Sequence, residues 1–244
     1  DDTAVDFVFL NLRSAPPGLI VGSATGIAGL GGFYRTADPS ADGRRSLAVI
    51  GRRYHGALLQ EGTFAQTAGV MVHEFGHALG LPDLYDVELL ANPDLDPAND
   101  SAGSGKWGLM GMGAYGWTGV DGPTPMCPWS REQLGWLGRG NQRLVEVPAL
   151  GTDLPLTDVD AGGVVYKIYL EEASDEIAPE EQEYLLLERR TQTSHAYNRQ
   201  LPGGVLVWHV RPRAVDNRDE AHKLVDLVCA DGLYRDAGYP LGQV

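Results

Sequence analysis

The sequence has few cysteines, few basic side chains and no long apolar runs, and each shortage excludes something. Only Cys127 and Cys229 occur in 244 residues. That is too few for a disulfide framework, and one long-range bridge or two buried thiols both fit. No apolar run is long enough to span a bilayer, which excludes a transmembrane segment. Nineteen basic residues face 33 acidic ones, a formal net charge of −14 that repels phosphate backbones and excludes nucleic acid as a partner. The surplus acid fits either a solubility role or the use of calcium. Internal repeats and low-complexity stretches are also missing. The chain opens at Asp1 with neither an initiator Met nor an apolar leader. This fits an exported protein whose signal or pro-segment has been removed, and equally a chain that starts late.

Several stretches read as ordinary secondary structure. Val5–Leu12 is a β-branched and aromatic run closed by Pro16-Pro17-Gly18, a buried strand followed by a turn. Leu47–Ile50 reads as a short strand. Thr63–Leu79 reads as a helix: Thr63 and Gln66 have capping-box spacing, and Gly80 followed by Pro82 marks the stop. At 100° per residue Phe64, Ala68, Met71, Phe75 and Ala78 form an apolar stripe expected to face a core. The other face carries Gly69, His73, Gly76 and His77. A glycine inside a helix costs about 1 kcal/mol relative to alanine, so Gly69 and Gly76 predict that another backbone or a metal comes close there. Residues 83–106 read as a long acidic loop, and Pro128–Leu137 as a short helix with proline in its first turn. After Gly140 come five strand-like runs, 143–147, 164–170, 184–189, 205–210 and 224–228. The expected fold class is therefore α+β, with a helix-bearing half at 1–138 and a β-rich half at 139–244 that stand as two subdomains or pack as one.

The chemistry concentrates in Val72-His-Glu-Phe-Gly-His-Ala-Leu-Gly-Leu-Pro-Asp83. Residues four apart on a helix share a face, with Cβ atoms about 5–6 Å apart. At that spacing the imidazoles of His73 and His77 can meet a single zinc ion. Glu74, beside the first histidine, can reach a water on the metal without ligating it. Gly80 permits the left-handed turn that brings Asp83 back as a third ligand, with Asp86 as its rival. Two neutral imidazoles and one carboxylate leave the fourth position open to water, the arrangement of a catalytic rather than a structural zinc site.

At His73-Glu-Phe-Gly-His-Ala-Leu-Gly-Leu-Pro-Asp-Leu-Tyr-Asp86 the sequence resembles the active-site signature of the immune inhibitor A family of secreted bacterial metallopeptidases, relatives of the metzincins. Metzincins carry a third histidine where this chain has Asp83. The stretches at 107–113, 129–136, 183–189 and 203–209 resemble the family as well, so the resemblance spans roughly 60 to 232. It implies a metzincin-like fold, a secreted zinc-dependent endopeptidase acting on protein or peptide substrates, and Glu74 as general base. It also implies Met110 as the Met-turn residue forming an apolar floor beneath the zinc, with Met112 as competitor. Tyr115, in the same turn, is a candidate donor to the developing oxyanion. Asp94, Asp96 and Asp100 offer oxygen donors to calcium, though without EF-hand spacing. Leu47–Ile50 is a candidate edge for a substrate strand, His209 reads as a core or supporting histidine, and Glu188 with Arg189 as a structural strand pair. The competing reading is a non-catalytic surface or binding module that keeps a structural zinc site. Nothing in the sequence signals the oligomeric state.

Overall fold

A computed structural model describes residues 4–5, 7–14, 25–29, 34–39, 46–49, 55–59, 63–87, 103–147, 153–174, 176–192, 200–219, 222–228 and 230. The N-terminal strands form two small sheets. In one, β1 (Ala4–Val5) pairs parallel with β5 (Ser46–Val49), which pairs antiparallel with β4 (Tyr34–Pro39). In the other, β2 (Val8–Leu12) pairs parallel with β6 (His55–Leu59), whose far side carries β3 (Gly26–Ile27). The run expected as one buried strand is thus split between two sheets, and Leu10 on β2 is exposed. Because β5 is paired on both sides at Ala48 and Val49, it offers no free edge to a substrate there.

Helix α1 (Phe64–Ala78) starts and stops where its signals lie. The Thr63 hydroxyl accepts from the Gln66 N–H at 3.2 Å, the Gln66 side chain accepts from the Thr63 N–H at 2.8 Å, and Gly80 takes φ +99°. Its orientation meets one expectation and reverses the other: a neighbouring backbone does come close to the glycine face, but the apolar stripe does not face a core. The apolar stripe is the outward one, with Phe64 83 %, Met71 38 % and Phe75 38 % exposed, while Gly69, His73, Glu74 and Gly76 are buried. The physical reason is backbone proximity. A Cβ on Gly69 would sit 1.8 Å from the Ala114 carbonyl oxygen, and one on Gly76 would sit 2.5 Å from Met110 Sδ. The glycine face lets the turn-rich segment 105–115 lie directly against the helix. One aromatic contact remains on the outer side, an edge-on approach of Phe75 to Phe7 at 5.1 Å.

Beyond α2 (Pro128–Gln133) the five expected strands all form: β7 (Leu144–Glu146), β8 (Val165–Tyr169), β9 (Tyr184–Arg190), β10 (Gly204–Val210) and β11 (Val225–Leu227). They make one sheet in the order β11-β10-β9-β8-β7, antiparallel except for β7 with β8. Alternation along β9 and β10 sends Tyr184, Leu186, Leu206, Trp208 and Val210 inward. The same alternation puts Glu188 and Arg190, two apart, on the buried face, so Glu188 pairs with Arg190 and not with its neighbour Arg189. One apolar cluster runs without a break from Leu81, Leu84, Trp107 and Met110 to Leu186, Trp208 and Val225. Cys127 lies in that cluster as a free thiol, while Cys229 is outside the described residues. Among the described residues no helix is long and apolar enough to cross a membrane.

Candidate metal centre

The buried face of α1 presents His73 and His77 one turn apart, and the reversal at Gly80 returns Asp83 to them. His73 Nε2 lies 3.1 Å and His77 Nε2 3.3 Å from the same atom, Asp83 Oδ1. Both rings are oriented from behind: His73 Nδ1 lies 2.9 Å from the Leu109 carbonyl oxygen and His77 Nδ1 2.8 Å from that of Leu81. A carbonyl accepts only, so each Nδ1 carries a proton, and each Nε2 points at the carboxylate, where it donates if protonated and presents a lone pair if not. Lone pairs facing a carboxylate repel unless a cation lies among them. Protons can fill that role, and so can one metal ion. His73, His77 and Asp83 form the group of potential metal ligands found among the described residues, with ligand atoms within 4.8 Å of one another. Asp86, though buried, lies outside that group.

The electrostatics follow from this crowding. Burial works to raise the Asp83 carboxyl, but the hydrogen bonds and charges of His73 and His77 outweigh it and hold Asp83 well below the usual carboxylate range. Burial works to lower His77, and Asp83 outweighs that too, leaving His77 raised. Glu74 is raised: burial dominates, and the two histidines only partly offset it. A buried carboxyl raised above its ordinary value, beside a cluster that attracts a cation, has the character of a proton acceptor for chemistry near neutral pH.

Glu74 and His73 open onto a cavity of about 110 Å³ whose other walls include Thr25, Gly26, Val70, Tyr85, Met112 and Tyr115. Gly26 is required by close approach, because a Cβ there would lie 2.6 Å from Glu74 Oε1. Tyr115 is held by a 2.8 Å hydrogen bond between its hydroxyl and that of Thr25. Met110 is 1 % exposed with its sulfur against Gly76, and its carbonyl accepts from the Leu84 N–H at 2.8 Å. Asp94, Asp96 and Asp100 lie outside the described residues. His209 is engaged away from this centre, 2.8 Å from Glu183 Oε2.

Neither Tyr85 nor the Thr25–Gly26 pair stands out in the sequence as a site residue. Tyr85 lies inside the quoted motif, its ring 6.2 Å from that of His73, and burial together with the Asp83 and Glu74 charges raises its phenol. Its place two residues after Asp83 is a usable signal. Thr25 and Gly26 sit in a run of small residues that carries none.

Residues 62–139 match the immune inhibitor A peptidase M6 catalytic domain. The match implies a metallopeptidase. It covers α1, the segment bearing Met110 and Tyr115, and α2, and it ends before β7. The resemblance read from the motifs extended to about residue 232, so the five-stranded sheet lies beyond the matched segment. A comparison with curated proteins gives no match for the chain.

Proposed function

We propose that this protein is a secreted zinc-dependent endopeptidase, with His73, His77 and Asp83 holding the ion and Glu74 acting as general base. The observation that carries the reading is the convergence of two Nε2 atoms on Asp83 Oδ1 with the raised carboxyl of Glu74 beside them. The donor set fits zinc: two imidazoles and one carboxylate, with rings locked by carbonyls in the tautomer that metal binding needs. His73 and Glu74 line a cavity beside the ligand atoms, which favours an open catalytic site over a closed structural one.

When bound, the ion lowers the pKa of a coordinated water towards ~7 and polarises the substrate carbonyl. Glu74 takes the proton of the attacking water and later delivers it to the leaving amine, which makes the amine a viable leaving group. Its burial serves the first half of that exchange, since a carboxylate whose pKa is raised is a stronger base than a surface glutamate. Met110 closes the site from below as an apolar floor. Tyr115 remains the candidate donor to the developing oxyanion, held at the cavity wall by Thr25.

Substrate runs along β3. That strand pairs with β6 on one side only among the described residues, and Gly26 brings its backbone against Glu74. Secretion follows from the family resemblance. The test is cleavage of casein by the purified chain, with and without a chelator, beside Glu74→Ala. The variant is expected to keep its fold and metal while activity falls about 10²–10⁴-fold. Full activity in a metal-verified Glu74→Ala preparation would sink the assignment.

A further inference from the structure

The five-stranded sheet, outside the matched segment, reaches the metal centre through a buried cation. Arg190 on β9 is 6 % exposed and Glu188 2 %. Arg190 Nε donates to Glu188 Oε1 at 2.9 Å, and the Trp208 indole N–H donates to the same oxygen at 3.0 Å. The second face of the guanidinium leaves the sheet altogether: Arg190 Nη1 donates to the Trp107 carbonyl at 2.7 Å. Trp107 begins the stretch whose Leu109 carbonyl fixes His73 Nδ1 and whose Met110 packs on Gly76. A second buried side chain from the same half acts on the Asp83 side. Asn217 Nδ2 donates to the carbonyl of Leu84 at 3.3 Å, and the Leu84 N–H is bonded to the Met110 carbonyl at 2.8 Å.

We propose that Arg190 is a positioning residue of the metal centre: by holding the Trp107 carbonyl it sets the 107–110 backbone, and through the Leu109 carbonyl the ring of His73. The fit is specific to arginine, whose planar fork serves Glu188 and a main-chain carbonyl at once. Strand pairing needs neither charge, and a buried ion pair is a weak device for stability alone. Its consequence is an address on the carbonyl behind a metal ligand. Partners of this kind orient the ligand and typically change metal affinity about 10–100-fold when removed.

This inference rests on His73, His77 and Asp83 being the metal ligands. The test measures zinc affinity of the full chain by competition with a chromophoric chelator, together with the visible spectrum of the cobalt-substituted protein. Glu188→Gln/Arg190→Met removes both charges, keeps an acceptor for Trp208 and takes the donor from Trp107. Arg190→Lys keeps the charge on a single head and serves as the second variant where the first does not fold. Val165→Ala, at a fully buried residue of the same sheet whose backbone N–H donates to the Arg143 carbonyl and not to 107–110, controls for lost stability.

Zinc affinity about tenfold weaker in the arginine variants, with an altered cobalt spectrum, is the expected result, with Val165→Ala binding like the parent chain. Affinity within twofold of the parent in either folded arginine variant would overturn the proposal. So would an equal loss in Val165→Ala. A parent chain that binds no zinc would instead overturn the ligand assignment, which is a separate and recognisable outcome.

Discussion

Two polar clusters, one buried in the five-stranded sheet and one part-buried at the end of α1, are built on opposite rules. In Glu188–Arg190–Trp208 the anion meets two donors, and the cation meets the anion and a carbonyl. In His73–His77–Asp83 two imidazoles, each with its Nδ1 held by a carbonyl, turn both Nε2 atoms towards one carboxylate oxygen. In the first cluster the opposite charges pair within the chain, although the buried Arg190 Nη2 makes no hydrogen bond. In the second, two ring nitrogens converge on one carboxylate oxygen, an arrangement that takes protons or a metal ion. The difference teaches how to tell a structural polar cluster from a functional one: ask whether the charges pair off or the ligand atoms converge on one point.

Asp83→Ala should separate the two most sharply. It removes a metal ligand and should weaken zinc binding by orders of magnitude in a chelator titration, whereas unchanged affinity would pass the role to Asp86. Arg190→Ala breaks the ion pair and leaves Glu188 buried and unpaired, at a cost of about 3–5 kcal/mol in chemical denaturation, while Glu188→Gln/Arg190→Met, which keeps an acceptor for Trp208, should cost clearly less. A single variant as stable as the double one would mean that the sheet cluster is not a matched pair.

Smaller effects probe the wall between the clusters. Gly69→Ala drives a Cβ into the Ala114 carbonyl and should cost more than Gly76→Ala, which meets only the movable end of Met110. For the latter, about 1–3 kcal/mol of overpacking is set against about 1 kcal/mol of regained helix propensity. The reverse order in thermal melts would contradict the close approach. The smallest effect concerns pH. Burial works to raise Glu183, but hydrogen bonds from His209 and Arg213 outweigh it and leave it lowered. Its contribution is therefore present above its unfolded value near 4.5 and lost as pH falls through the lower folded one. Solvent screening keeps the contribution below about 1 kcal/mol. Glu183→Gln should flatten the acid limb of the stability curve slightly, and a steeper limb would reverse the sign.

Local signals were the legible ones. Thr63 and Gln66 marked the start of α1, Gly80 its end, and strand-like runs marked the five C-terminal strands. His73, Glu74, His77 and Asp83 were readable because one helix and one turn bring them together. The close approach at Gly69 and Gly76 was legible, but the facing of the apolar stripe was not, because a stripe counts side chains while burial here follows from how closely a neighbouring backbone can approach. Gly69 and Gly76 carried that information, and they outweighed Phe64, Met71 and Phe75. Arg190 and Thr25 lie far from the motif in sequence, and no local pattern records a contact made by packing.

The most direct test of the central claim is the zinc content of the purified chain after dialysis, measured by elemental analysis beside Glu74→Ala and His77→Ala. One zinc per chain in the parent and in Glu74→Ala, with little in His77→Ala, is the predicted result. A zinc-free parent chain, or a His77→Ala variant that keeps its zinc, would contradict it.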